Sequence, residues 1–119
     1  MKNRAVLAFV VAAVTGALIW AASPWLTGQR EPWDAEFPFY FAALLVAGVI
    51  AGVLAPKPLW AHYLGAFIGQ LGYELIFLKV GPLFVLGAVF LLGYCLVFLA
   101  AAAIAGYLRL RFMRRRFPD

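Results

Sequence analysis

A length of 119 residues argues for one domain, yet two thirds of this chain is hydrophobic and only 13% is charged. Soluble domains run at about 45–50% and about 25%, and a water-soluble fold this small has no core able to hide so much apolar surface; lipid is therefore the expected solvent. The net charge of +5 sits at the chain ends rather than across a face, which argues against a nucleic-acid partner and for charges ordered by a membrane.

Four apolar stretches follow one another, at about 5–22, 37–55, 59–80 and 82–108, each about long enough to cross a ~30 Å hydrocarbon core as a helix. The expected fold is all-α: a single polytopic membrane domain over 1–119, built as a four-transmembrane-helix bundle. Lys2 and Arg4 before the first stretch, and Ala21-Ala22-Ser23 after it, resemble the outline of a signal peptide. Pro24 directly behind, and the length of the stretch, favour a retained first span.

Proline and glycine place the breaks. Ser23-Pro24 is expected to stop the first helix, Pro56-Lys57-Pro58 to force a tight hairpin between the second and third, and Gly81-Pro82 to do the same between the third and fourth. The longer connection from Trp25 to Glu36 carries Glu31, Asp34 and Glu36 at spacings that do not make a calcium loop. Its Trp25 and Trp33 read as anchors at a membrane surface. Trp20, Tyr40, Trp60 and Tyr107 are assigned to the same interfacial belt.

Orientation follows from Lys and Arg. Lys2, Arg4, Lys57, Arg109, Arg111, Arg114, Arg115 and Arg116 fall on one side, and Arg30 and Lys79 on the other. Both termini are thus expected in the cytoplasm, with a basic tail over 109–119. The tail continues the fourth helix, and its five arginines are read as contacts to anionic lipid headgroups.

The third stretch is the most informative. At about 100° per residue, Trp60, Leu64, Phe67, Ile68, Leu71, Leu75 and Leu78 form a bulky face suited to lipid. Gly65, Gly69 and Gly72 form a second arc, where another backbone can approach. His62, Tyr63, Gln70, Tyr73 and Glu74 form a third, polar arc that must face protein or water. Glu74 is the only carboxylate in any span. It reads either as a functional group or as a side chain snorkelling to headgroup water. Gln70 reads as an interhelical hydrogen-bonding group or a step of a path. His62 is placed at the interface. Gly48 and Gly52 in the second stretch, and Ala8, Ala12 and Gly16 in the first, repeat the close-packing pattern and suggest a tight bundle or contacts between subunits.

Chemistry-bearing motifs are few. No catalytic triad, phosphate loop or pair of intramembrane carboxylates is present, so an enzyme is not expected, nor a cofactor. His62 lacks companions at metal-ligand spacing, so no metal is expected either. Lone Cys95 allows no internal disulfide and reads as a small hydrophobe. Two functions stand. One is a small channel or transporter for an ion or small solute, working as a homo-oligomer with His62, Gln70, Tyr73 and Glu74 along the path. The alternative is a non-catalytic accessory subunit bound to a membrane-protein partner. Membrane lipids are partners in both, and a bacterial plasma (inner) membrane is the simplest setting.

Overall fold

The computed structural model describes residues 2–28, 38–77, 81 and 84–116, without the side chains of 2, 3 and 114–116. These residues form four helices and, among them, no strand: α1 (Lys2–Thr27), α2 (Phe39–Leu54), α3 (Leu59–Phe77) and α4 (Phe84–Arg116). Helices α1 and α4 are each long and apolar enough to cross a membrane by length and composition.

The first boundary differs from expectation. Pro24 lies inside α1 rather than beyond it, although a proline there loses one hydrogen bond and crowds the carbonyl four residues back. The turn around it is held by side chains: Thr27 Oγ1 donates to the Ser23 carbonyl at 2.8 Å and lies 3.3 Å from Ser23 Oγ. Termination comes at Gly28, whose φ of 79° is the left-handed cap that glycine adopts without strain. Its N–H donates to the Pro24 carbonyl at 3.1 Å.

The other breaks fall near the expected residues. The Ala55 N–H closes α2 onto the Ala51 carbonyl at 2.8 Å. Residues 55–58 carry the Pro-Lys-Pro turn, and α3 begins at once behind Pro58. The Phe84 N–H donates to the Gly81 carbonyl at 3.0 Å to open α4. That helix runs unbroken through Ala100–Ala103 to Arg116, so the basic segment is helical.

The helices sit at the corners of a square. α1 packs on α3 and α2 on α4; the pairs α1–α2 and α3–α4 close the ring. Although only residues 55–58 join them, α2 and α3 stand at opposite corners. Glycines set the two main contacts. A methyl group added at Gly65 would meet the Phe9 carbonyl, and one at Gly69 the backbone of Ala13. One at Gly48 would meet the Phe98 carbonyl, and one at Gly52 the backbone of Ala102. In each pair the residue numbers rise together along the two helices, so each tight pair is parallel. Contact this close brings backbone atoms, not only side chains, into van der Waals range.

A main core runs through Ala12, Trp20, Leu44, Ala66, Leu91 and Phe98, with a smaller cluster of Ala8, Ala55 and Ala61 beside the turn. Outward-facing residues are large and apolar on every helix, as at Val14, Val46, Ile68 and Phe90.

Candidate functional site: a polar line inside the bundle

Spacing alone puts His62, Ala66, Gln70 and Glu74 on one face of α3, since residues four apart lie one above another. That face points inward. His62 and Gln70 are fully buried, and Glu74 is 6% exposed. The opposite face, with Trp60, Leu64, Ile68 and Leu75, is exposed. Phe67 and Leu71 are half-buried, and Leu78 lies outside the described residues.

Gln70 is the hub. Its Oε1 accepts from the Trp20 indole N–H at 2.8 Å and from the Tyr40 hydroxyl at 2.5 Å. Its Nε2 donates to the Ala66 carbonyl at 3.1 Å and meets Cys95 Sγ at 3.5 Å. A primary amide offers two acceptor lone pairs and two donors, so all four are occupied. The partners come from α1, α2, α3 itself and α4, and one side chain thus ties the whole square together.

Around this hub the polar groups gather toward one end. Ser23 is fully buried on α1, one turn beyond Trp20. The Tyr40 ring lies 4.7 Å from that of Tyr94, which also meets Phe41 at 5.6 Å. Glu74, one turn beyond Gln70, is turned into the bundle rather than outward along it. Tyr73 is half-buried with its ring 4.7 Å from Phe77. Tyr63 donates to the Leu92 carbonyl at 2.6 Å and links α3 to α4.

His62 stands at the opposite end. Its Nε2 bonds the Ala55 carbonyl, which can only accept, so Nε2 carries a hydrogen. Nδ1 is buried with no hydrogen-bond partner among the described residues, and the ring is 6.4 Å from that of Phe98. Between His62 and Gln70 the interior is apolar, filled by Ala12, Ala66 and Phe98. No three of His, Cys, Asp and Glu converge among the described residues.

Several expected positions need correction. Trp20 and Tyr40, assigned to an outward-facing belt, are buried inside the bundle, where both donate to Gln70. His62 is buried within the bundle. Trp25, Trp60 and Tyr107 are exposed. The stripe of Gln70 and Glu74 faces the inside of one chain, not its outer surface. Gly48, Gly52, Gly65 and Gly69 lie against backbone, whereas Gly72 has open space on its side-chain side. Arg109 and Arg111 are exposed on α4. The side chains of Arg114, Arg115 and Arg116, and residues Arg30, Glu31, Trp33, Asp34, Glu36 and Lys79, lie outside the described residues.

Trp20, Tyr40, Ser23 and Cys95 join the site without having been singled out for it. The signal was present: the small-residue repeat Ala8, Ala12, Gly16 continues at the same spacing into Trp20, and then through Ser23 and Thr27. No family model, curated protein or solved structure matches the chain.

Proposed function

We propose that the chain is a four-span protein of a plasma (bacterial inner) membrane, with both termini cytoplasmic, that moves protons or a small cation along the inner face of α3. The outward apolar faces of all four helices, and the excess of Lys and Arg at the end that carries the 55–58 turn, support the membrane placement. α3 rises about 28 Å over its 19 residues, close to a ~30 Å hydrocarbon core.

The observation that carries the transport reading is that the one carboxylate and the one imidazole of α3, Glu74 and His62, are buried on the line that passes through Gln70. Ionisable groups inside a membrane bundle are expensive and mark proton relays and ion paths. Close packing does not call for them, since the Gly48 and Gly52 contact of α2 with α4 is made without a carboxylate or an imidazole. In this reading Glu74 takes up the proton or cation from the outer side, and Gln70 with Tyr40 supplies a neutral hydrogen-bonded step. His62 Nδ1 takes the proton at the cytoplasmic end, about 18 Å away by helix rise. The apolar plug of Ala12, Ala66 and Phe98 makes this the closed state, and conduction requires the α1–α3 contact to loosen there. A single copy holds the whole line, so a homo-oligomer would multiply paths rather than build one.

The test is proton flux into vesicles containing the purified protein and a pH-sensitive dye, driven by a potassium diffusion potential. Glu74→Gln should cut flux at least about tenfold, in the range of a lost acid–base group, with helicity unchanged. Wild-type flux in that variant would sink the reading.

A second reading is favoured by a different observation. An apolar groove of about 410 Å³ runs between α1 and α2, lined by Leu18, Ala22, Ala43, Val46 and Ala47, and small residues of this kind let a further helix approach. The chain would then be an accessory subunit, with Gln70 as an internal brace. Native mass spectrometry after mild extraction separates the two: a stoichiometric foreign protein supports this reading, and its absence supports transport.

A further inference from the structure

Three cations from three separate segments face one cleft beside the 55–58 turn. Arg4 comes from the first turn of α1, Lys57 from the turn itself and Arg109 from α4, and the cleft holds about 280 Å³. Its remaining wall is largely apolar, with Leu7, Leu54 and Met113 prominent. Arg109 is held in place there: its Nη1 donates to the Val53 carbonyl at 2.6 Å, one of the last carbonyls of α2, for which the helix supplies no N–H. A guanidinium has five N–H donors in a fixed fork, so most of its capacity is left for a ligand.

Nothing described at this end balances the charge. Glu74 is the only carboxylate among the described residues, and it lies 17 positions beyond Lys57, about 25 Å by helix rise. Three like charges around one cleft repel, and an anion placed among them relieves that repulsion. The N-terminus of α1 adds the positive end of its helix dipole.

We propose that this cleft binds the phosphate of an anionic phospholipid, with Arg4, Lys57 and Arg109 on the phosphate and Leu7, Leu54 and Met113 against the first part of the acyl chains. Basic pockets between membrane helices hold phosphorylated headgroups in this way. The apolar wall selects a lipid over free phosphate, which would leave it wet. The site differs from diffuse attraction by the arginine tail because it is built from α1, the turn and α4 together. It rests on the membrane placement above and is independent of transport. Its consequence is mechanical: one lipid would clamp the N-terminal end of α1 to the turn that joins α2 and α3.

The experiment is native mass spectrometry of the purified full-length protein in mild detergent, titrated with phosphatidylglycerol, phosphatidylcholine or inorganic phosphate. One phosphatidylglycerol per chain is expected, with phosphatidylcholine much weaker and inorganic phosphate unable to displace it. At roughly fivefold per cation, Lys57→Gln should weaken binding about fivefold and Lys57→Gln with Arg109→Gln about thirtyfold. Arg111→Gln, whose side chain lines the cleft on the other side of the turn, should change it less than about twofold. Lys57 is exposed, so its single variant tests the site even where loss of Arg109 disturbs α2. Equal weakening by Arg111→Gln, equal binding of phosphatidylcholine, or displacement by inorganic phosphate would each overturn the proposal. Release of the protein from native membranes by alkaline carbonate would instead sink the membrane placement, whatever the lipid arms give.

Discussion

The two tight helix pairs of this bundle are built alike and finished differently. In α2–α4, Gly48 and Gly52 lie against the backbone at Phe98 and Ala102, with Ala101 alongside; this seam takes in no polar side chain, and the Tyr40–Tyr94 ring contact and the Arg109–Val53 hydrogen bond lie at its ends. In α1–α3, Gly65 and Gly69 lie against Phe9 and Ala13 in the same parallel register, but the contact continues into the Trp20–Gln70 hydrogen bond, with Glu74 buried one turn beyond. The dry pair serves as an internal control for the wet one. Close backbone approach fills the middle of that contact without a polar side chain, so the polar side chains midway along α3 answer some other need. Gln70 answers one of them by joining all four helices. Glu74 and His62 are buried on the same line, and they carry the proposed transport.

The largest effects should come from breaking either pair by shape. At Gly52 and at Gly69 an added side chain would meet backbone, which cannot move aside as a flexible side chain can. Gly52→Leu and Gly69→Leu should each therefore cost about 3 kcal/mol or more, the upper part of the overpacking range. The readout is loss of helicity on titrating denaturing detergent into micelles. A Gly69→Leu cost far below that of Gly52→Leu would mean that hydrogen bonds, not shape, hold α1 to α3, and the comparison would fail.

Next in size is the hub. Gln70→Leu keeps much of the volume but leaves the Trp20 N–H and the Tyr40 hydroxyl buried without their acceptor. Unsatisfied buried donors cost about 1–3 kcal/mol each in water-soluble proteins, and interhelical hydrogen bonds in membranes average nearer 0.6 kcal/mol. The expected loss is about 2 kcal/mol, below that of either glycine variant. Tyr40→Phe should cost about 1 kcal/mol alone and little more when added to Gln70→Leu, because the bond is already gone. Full additivity in that double variant would place the Tyr40 hydroxyl outside the hub.

Periodicity made the third helix legible. One turn of a helical wheel separates the exposed face of Trp60, Leu64, Ile68 and Leu75 from the buried line of His62, Gln70 and Glu74, and the structure keeps that division. Gly65 and Gly69 could be read as contact positions because only close approach explains a pair of glycines in a helix interior, where each costs about 1 kcal/mol. Their partner was beyond reach. Spacing within α3 says nothing of whether α1 or α4 lies opposite, and the short 55–58 turn suggested α2 as a neighbour where the packing puts it on the diagonal. The burial of Trp20 and Tyr40 was illegible for a related reason. An aromatic with a polar atom near a span end fits an interface and a buried bond equally well, and only the position of Gln70 decides. Pro24 was misread because its effect depends on whether side chains such as Thr27 repair the turn.

The smallest effect is also the sharpest test of where the α1–α3 contact ends. Gly72 shares an arc with Gly65 and Gly69 on a helical wheel, yet a methyl group built on it meets no atom within 4 Å. Beyond Gly69, Trp20 and Gln70 lie between the two helices and hold the backbones apart. Gly72→Ala should then be neutral or stabilise by up to about 1 kcal/mol, because alanine relieves the backbone entropy of a helical glycine and touches nothing. Gly69→Ala, one turn earlier, should destabilise, because its methyl meets the Ala13 backbone. Opposite signs from the same substitution on one arc would locate the end of the close contact between the two positions. A destabilising Gly72→Ala would mean that α1 and α3 stay in contact past the hub, leaving no room beside Glu74, and the proposed entry for a cation would have to lie on the α4 side.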